Sequence, residues 1–379
     1  MTARFADYQF GIYFDALNGR ISDFPMDHGT LESKAMAVLP PSLRSYVAGG
    51  AGDEATQRRN VEVFSRWGLV PRMLVGAEHR DLSVTLWGTT FPGPIFMAPV
   101  GVIGLVTDHG DIAVAQAAAQ TGVPAMFSTL MVDPLEEVIG HAGPTASFFQ
   151  LYTPRDRDLA ASLVQRAEKA GYRGIAVTLD TWTPGWRPRD LTSGSFPQLR
   201  GHALANYTSD PVFRRLAEGG DVVRTWASVF GNPLSWNDLG WLRSLTELPI
   251  VLKGICHPDD ARRAIDAGVD GIYCSNHGGR QANGGLSALE LLPAVAEACG
   301  DVPVLFDSGV RSGTDVVKAI GLGATMVGIG RPYVHGLALG GVPGLVHLLR
   351  SVLAEADLLM AVNGYPDFAA VRANTRRAA

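Results

Sequence analysis

The residues that could do chemistry are scattered along the sequence but share one pattern: each closes a short apolar run. His277 and Arg280 stand three apart with two glycines between them. A histidine beside a guanidinium suits a base that attacks a substrate held by its carboxylate. His277 alone would read equally well as a structural, hydrogen-bonded side chain. Asp180 ends another run and could orient the imidazole and stabilise the imidazolium that forms. Lys253, in Val251–Ile255, could stabilise negative charge developing on a flavin or an enolate. A Schiff-base lysine, as in barrel aldolases, is the competing reading. Two further runs end in Ser308-Gly309 and Gly328-Ile329-Gly330, each followed by an arginine, Arg311 and Arg331. Glycines that let backbone N–H groups approach an anion, with guanidiniums nearby, form a phosphate site.

The elements that must position these groups are eight apolar runs: Pro94–Gly101, Pro124–Thr129, Ala146–Tyr152, Gly174–Asp180, Pro249–Ile255, Gly271–Asn276, Pro303–Ser308 and Met326–Arg331. They are continuous rather than alternating, as parallel strands buried on both faces should be. Helical spacing separates most of them. Asp156–Gly171 places Leu159, Leu163 and Ala167 on one side, and His257–Gly268 opens with Pro258 and closes on a glycine. Eight such units predict an α/β fold, a (β/α)₈ TIM barrel with its site at the C-terminal ends of the strands. The last two loops are where barrels often hold phosphate. Seven of the eight ends carry polar or ionisable groups, which a purely structural barrel would not need.

The expected organisation is one domain over residues 1–379: a helical N-terminal extension with a short β-element at 1–93, a barrel at 94–360, and an insertion at 181–248. That insertion carries five tryptophans, Trp182, Trp186, Trp226, Trp236 and Trp241. A connection of that length on the catalytic face reads as a lid, or as oligomer contact surface.

Composition bounds the rest. Hydrophobic residues make up 46% and charged residues 18%, enough to build a large core. The formal net charge of -5, with no basic block, argues against nucleic acid or an anionic membrane as partner. Three cysteines, Cys256, Cys274 and Cys299, lack CxxC spacing and suggest reduced thiols in a cytoplasm. Met1–Phe10 has charges and no apolar signal core. No apolar run is expected to span a bilayer; 326–349 comes nearest. The nine histidines show no HxH or HExxH spacing, so no metal site is expected. No GxGxxG follows an early strand, which leaves a nicotinamide domain unsupported.

With the strand ends in view, the chain resembles the FMN-dependent 2-hydroxy-acid oxidase and dehydrogenase family along almost its whole length. The carrying motifs are YVAGGAGDE (Tyr46–Glu54), MAPVG (Met97–Gly101), FFQLY (Phe148–Tyr152), TLDTW (Thr178–Trp182), VLKGI (Val251–Ile255), SNHGGRQ (Ser275–Gln281) and FDSGVRSG (Phe306–Gly313). Within it, GWRPRDL (Gly185–Leu191), Ala282-Asn283 after SNHGGRQ, GIGRPY (Gly328–Tyr333) and SVLAEADLLMAV (Ser351–Val362) look most like the lactate 2-monooxygenase branch.

The resemblance implies roles. Backbone at Ala98, Pro99 and Gly101, with Ser128, Gln150 and Thr178, would hold the isoalloxazine of FMN. Lys253 would stabilise the reduced, anionic flavin, and Ser275 would contact the flavin or its ribityl region. Asp307, Gly309, Arg311, Gly330 and Arg331 would hold the ribityl chain and phosphate. Tyr46, Arg187 and Arg280 would bind the substrate carboxylate, and Tyr152 its hydroxyl or ketone oxygen. His277 would be the base, paired with Asp180. The implied reaction is oxidation of a small L-2-hydroxy acid, lactate first, with O2 and decarboxylation in the site to acetate, CO2 and water. Release of keto acid and H2O2 is the alternative, and a non-redox isomerase or aldolase barrel a more distant one. The branch implies a homo-oligomer, a tetramer or octamer. Leu130 and the segment Leu204–Tyr207 are expected to face the substrate side chain.

Overall fold

A computed structural model describes residues 4–378. All eight apolar runs form strands: β1 (Ile95–Met97), β2 (Met126–Ser128), β3 (Phe148–Leu151), β4 (Ile175–Thr178), β5 (Ile250–Lys253), β6 (Gly271–Cys274), β7 (Val304–Phe306) and β8 (Met326–Ile329). Every lateral pairing among them is parallel, and β8 pairs with β1. A single bridge between Met97 and Ala125 joins β1 to β2 and closes the ring. The fold is a (β/α)₈ TIM barrel.

Alternation along each strand sorts the side chains. Ile95, Met97, Phe127, Phe149, Ile175, Val177, Ile250 and Leu252 point outward and pack under the helices. Phe96, Met126, Phe148, Ala176, Val251, Tyr273, Leu305 and Met326 form a separate inner cluster that fills the barrel. The next inward position on each strand lies two residues further on. Those positions are Ala98, Ser128, Gln150, Thr178, Lys253, Ser275, Asp307 and Gly328. Over that two-residue step the inward side chains change from hydrocarbon to polar on six of the eight strands, Ala98 and Gly328 being the exceptions.

The bottom of the barrel is stoppered by a hairpin, Val84–Leu86 with Thr89–Phe91. Its two-residue turn, Trp87-Gly88, takes positive φ at both positions (45° and 77°), as a tight turn between twisted strands requires. Val84, Leu86 and Phe91 join the inner cluster, and Trp87 stacks edge-on to Phe148.

The helix following β3 spans Arg157–Ala170, with Asp156 capping its first turn and Gly171 ending it in the left-handed region. Among the described residues, four α-helices and a short 3₁₀ helix precede the hairpin. Trp67–Leu69 pairs antiparallel with Thr375–Arg377. The insertion is largely helical, with elements at Pro188–Ser193, Pro211–Leu216 and Val222–Val229 among others. Arg166 ties it down through Asp210 (3.1 Å) and the carbonyl of Asn206 (2.8 Å).

The segment 326–349, nearest to an apolar span in the sequence, falls largely in the last long helix. The final helix, Arg331–Asn363, is long and apolar enough to cross a bilayer by length and composition. Its apolarity has a local use: Tyr333, Val334, Leu337, Leu345, Leu349 and Val352 are buried in the core beneath it. Gly340 and Gly341 leave helical geometry and break it in two.

Candidate active site

Ala98, Lys253, Asp307 and Gly328 from the strand ends, with the loops above them, line one cavity at the C-terminal mouth, and the other polar strand ends stand beside them. Two kinds of wall meet there. On β2–β4 the wall is neutral. Ser128 Oγ donates to Gln150 Oε1 (3.0 Å), and Gln150 Nε2 donates to Thr178 Oγ1 (2.8 Å). This chain fixes the orientation of the Gln150 amide across three strands. Ala98 closes the wall on β1, its N–H held by the Ile329 carbonyl (2.9 Å) and its carbonyl by Tyr333 Oη (3.1 Å). Pro99 and Gly101 also line the cavity. At Gly101 an added Cβ would sit 3.1 Å from Leu130 Cβ, so the wall is already tight.

On β5–β7 the wall is charged. Lys253, 2% exposed, donates to Ser275 Oγ (2.9 Å) and lies 3.8 Å from Asp307 Oδ2. Asp307 also accepts from Ser275, from Ser308 (2.9 Å) and from Tyr273 Oη (2.7 Å). A buried lysine is tolerable only with this kind of compensation. Its Nζ also sits 4.9 Å over the Tyr273 ring.

Above β6, His277 lies in a 3₁₀ turn with φ 58°, a left-handed posture unusual for a side-chain-bearing residue. Three contacts hold the turn: Ser275 Oγ accepts from His277 N (3.1 Å), Ser308 Oγ from Gly278 N (3.1 Å), and the Gly278 carbonyl from Arg331 (3.2 Å). His277 Nδ1 is 3.0 Å from Asp180 Oδ1 and 3.2 Å from Thr181 Oγ1, whose hydroxyl also reaches Asp180 (3.0 Å). Burial would raise the Asp180 carboxyl, but His277 and Lys253 outweigh it and bring it down to about 2. Burial pushes the imidazole below its usual range, with Asp180 opposing and Lys253 assisting. An ionised Asp180 can only accept, so Nδ1 carries the proton and Nε2 keeps its lone pair.

Arg280 and Arg187 sit on the same mouth. Arg280 donates to the carbonyls of Tyr46 (2.7 Å) and Gly49 (2.6 Å) and lies 5.0 Å over the Tyr46 ring. Arg187 donates to the Arg280 carbonyl (3.2 Å) and to Gln281 Oε1 (3.1 Å), with Asp190 at 3.5 Å. Burial and Arg187 both push the Arg280 guanidinium down, which marks a place that favours an anion. Burial pushes the Tyr152 phenol up, so it stays protonated as a donor; its ring packs on Phe230 at 5.6 Å.

The anion cradle lies on β7–β8. An added Cβ at Gly309, φ 92°, would sit 1.9 Å from the Asn60 carbonyl, so only glycine fits. At Gly330 the same atom would meet nothing within 4 Å, because that side opens onto the cavity. Arg331 braces the cradle by donating to Val47 O (3.0 Å), Gly49 O (3.2 Å) and Gln57. Arg311 lines the cavity too.

Of the sequence-expected residues, Tyr46, Ala98, Pro99, Gly101, Tyr152, Arg187, Lys253, His277, Arg280, Asp307, Gly309, Arg311, Gly330 and Arg331 line the cavity, whereas Ser128, Gln150, Thr178, Asp180 and Ser275 do not line it and are held by hydrogen bonds to one another or to lining residues. One expectation fails. Leu204 and Tyr207 are buried away from the cavity; Phe196, Gln198, Trp226 and Phe230 take the place expected of them, with Leu130 as anticipated. Outside the cavity, Asn283 donates to Asp53 (2.6 Å) and accepts from Thr56 N (3.1 Å), bracing the Gly50–Asp53 loop. Tyr273, Thr181, Gln57 and Gln281 went unnoticed in the sequence. Period-two counting inward from Ser275 would have found Tyr273.

The model of the FMN-dependent dehydrogenase family matches residues 35–377. An L-lactate oxidase of Lysinibacillus sphaericus is 38% identical over 93% of this chain and 92% of its own. An FMN-dependent alpha-hydroxy acid dehydrogenase of Penicillium citrinum is 40% identical over 93% and 90%. Among solved structures, mandelate oxidase superposes with a TM-score of 0.84 at 36% identity, covering 93% of this chain and 99% of that one. A lactate oxidase of Pediococcus acidilactici gives 0.85 at 34%, covering 93% and 95%. The residues fit FMN: a glycine-lined cradle with arginines for the phosphate, a buried lysine and an oriented amide for the ring. The chain belongs to the FMN-dependent dehydrogenase family, as an oxidoreductase of 2-hydroxy acids with FMN as its cofactor.

Proposed function

We propose that the enzyme oxidises a small L-2-hydroxy acid, lactate above all, with O2 as electron acceptor. The observation that carries this reading is the Asp180–His277 pair at 3.0 Å, its imidazole sharing one cavity with Arg187 and Arg280. Arg187, Arg280 and the Tyr46 edge of the cavity bind the carboxylate, which fixes the α-carbon. Tyr152 donates to the α-oxygen. His277 Nε2 takes a proton from substrate, and Asp180 stabilises the imidazolium. Such a base typically contributes roughly 10²–10⁴-fold. Bound FMN supplies the two-electron sink. Lys253 holds positive charge where negative charge accumulates on reduction. Phe196, Trp226, Phe230 and Leu130 offer the side chain an apolar wall that suits a methyl group and excludes water.

The finer outcome we propose is decarboxylation before release: lactate and O2 give acetate, CO2 and water. It requires the keto acid to stay in the site, which the aromatic wall of the insertion favours. Release of pyruvate and H2O2 is the second reading, favoured by two relatives named lactate oxidase. The deciding experiment mixes the yellow protein anaerobically with a panel of L-2-hydroxy acids, follows bleaching, and then admits air. Acetate without peroxide supports the first outcome, and pyruvate with peroxide the second. Failure of every hydroxy acid to bleach the flavin refutes both.

A further inference from the structure

Outside the mouth of the barrel, the helix His28–Val38 packs against the final helix Arg331–Asn363. His28 and Glu32 stand one turn apart on the first of these, and His335 comes from the second. Their ligand-capable atoms all lie within 4.8 Å of one another, with His28 Nδ1 3.7 Å from Glu32 Oε2 and the two imidazole rings 5.6 Å apart. His335 is fully buried, and neither of its ring nitrogens has a hydrogen-bond partner among the described residues; His28 Nε2 is likewise buried and unpartnered. Three buried imidazole nitrogens without partners are expensive, each forgoing roughly 1–3 kcal/mol of solvation. Neither the proposed chemistry nor the flavin cradle as described uses them.

We propose that His28, Glu32 and His335 bind a divalent cation of the zinc class, with a water or small anion as fourth ligand. Two imidazoles and a carboxylate are a known donor set for zinc, and bonds of about 2.0–2.2 Å place tetrahedral ligand atoms roughly 3.4 Å apart. Side-chain rotations of about an ångström close the present arrangement to that spacing. A half-exposed Glu32, 38% accessible at its side chain, gives the ion an entry path.

The charges around the site set a condition. Arg311 and Arg331 act on His335, and Arg311 acts on His28 as well, so the surroundings oppose a cation until their charge is answered. Glu32 supplies one negative charge. The phosphate of FMN, which the cradle beside these arginines would hold, would supply the rest. The cation therefore links the N-terminal extension to the barrel most strongly when the flavin is in place.

The test uses the flavin-loaded protein, stripped with a chelator, desalted, and titrated calorimetrically with Zn²⁺; Co²⁺ serves as spectroscopic probe and mass spectrometry counts retained metal. One equivalent per chain is expected, with a tetrahedral Co²⁺ spectrum and a metal-dependent rise in Tm. Glu32→Gln and His335→Gln should each weaken binding at least tenfold, since even outer-shell changes cost about 10–100-fold. Glu32→Gln should retain its full flavin content, which separates ligand loss from misfolding. Flavin-depleted protein should bind the ion more weakly than the loaded form. Absence of stoichiometric binding, or equal binding by wild type and both variants, overturns the proposal.

Discussion

The two ends of the barrel are made from the same eight strands and differ by one inward step. Below that step Phe96, Phe148, Tyr273 and Met326 meet the hairpin residues Leu86 and Phe91 in a sealed apolar plug. Above it stand Ser128, Gln150, Thr178, Lys253, Ser275 and Asp307, every one of them 8% exposed or less, with Lys253 and Asp307 lining the cavity. Burying that many polar groups costs stability unless each finds a partner. They find partners in one another, through the Ser128–Gln150–Thr178 chain and the Lys253–Ser275–Asp307 cluster. The lower end supplies cohesion; the upper end spends some of it on holding charge in place.

If that division is right, substitutions at the two ends must fail in different ways. The largest effect is expected from His277→Gln: kcat should fall roughly 10²–10⁴-fold while the purified protein stays yellow with unchanged Tm to within a few degrees. Phe91→Ala at the stopper should do the opposite. It should lose about 3–5 kcal/mol in denaturant unfolding, yet keep wild-type kcat per folded, flavin-loaded molecule. Activity lost in step with stability in both variants would break the comparison. Arg280→Lys should raise KM by roughly 10–100-fold, from about 1.5–3 kcal/mol of charge-assisted hydrogen bonding, with a smaller change in kcat. The pH profile sharpens the upper end further. His277 must be neutral to act, and its burial lowers the imidazole from 6.5, so the acid limb of kcat/KM should fall below pH 6.5. Asp180→Asn removes the group that opposes this shift, so the limb should move lower still as the rate drops.

The strands and strand-end residues were legible because a parallel barrel writes each strand as an unbroken apolar run and each site residue just after it. What the sequence concealed was anything needing a choice among faces. Leu204–Tyr207 has the right composition for a substrate wall, but Phe196 and Trp226 face the cavity instead. The pairing of Trp67–Leu69 with Thr375–Arg377 joins segments some three hundred residues apart, with no local signal in either. His28 and Glu32 show helical spacing, but nothing near them in sequence announces His335. The final helix reads as apolar on every side because it is buried on most of them.

The backbone at His277 leads to one more conclusion. A left-handed conformation costs a side-chain-bearing residue about 1–2 kcal/mol, and here it sits next to Gly278 and Gly279, which take it freely. Selection for robustness alone would favour a third glycine in that turn. Keeping an imidazole there holds it aloft on a tensed spring, and among the props that keep the spring wound is Arg331, the guanidinium at the phosphate cradle. Releasing the cofactor should slacken that support, so an empty enzyme would aim its base less well than a full one.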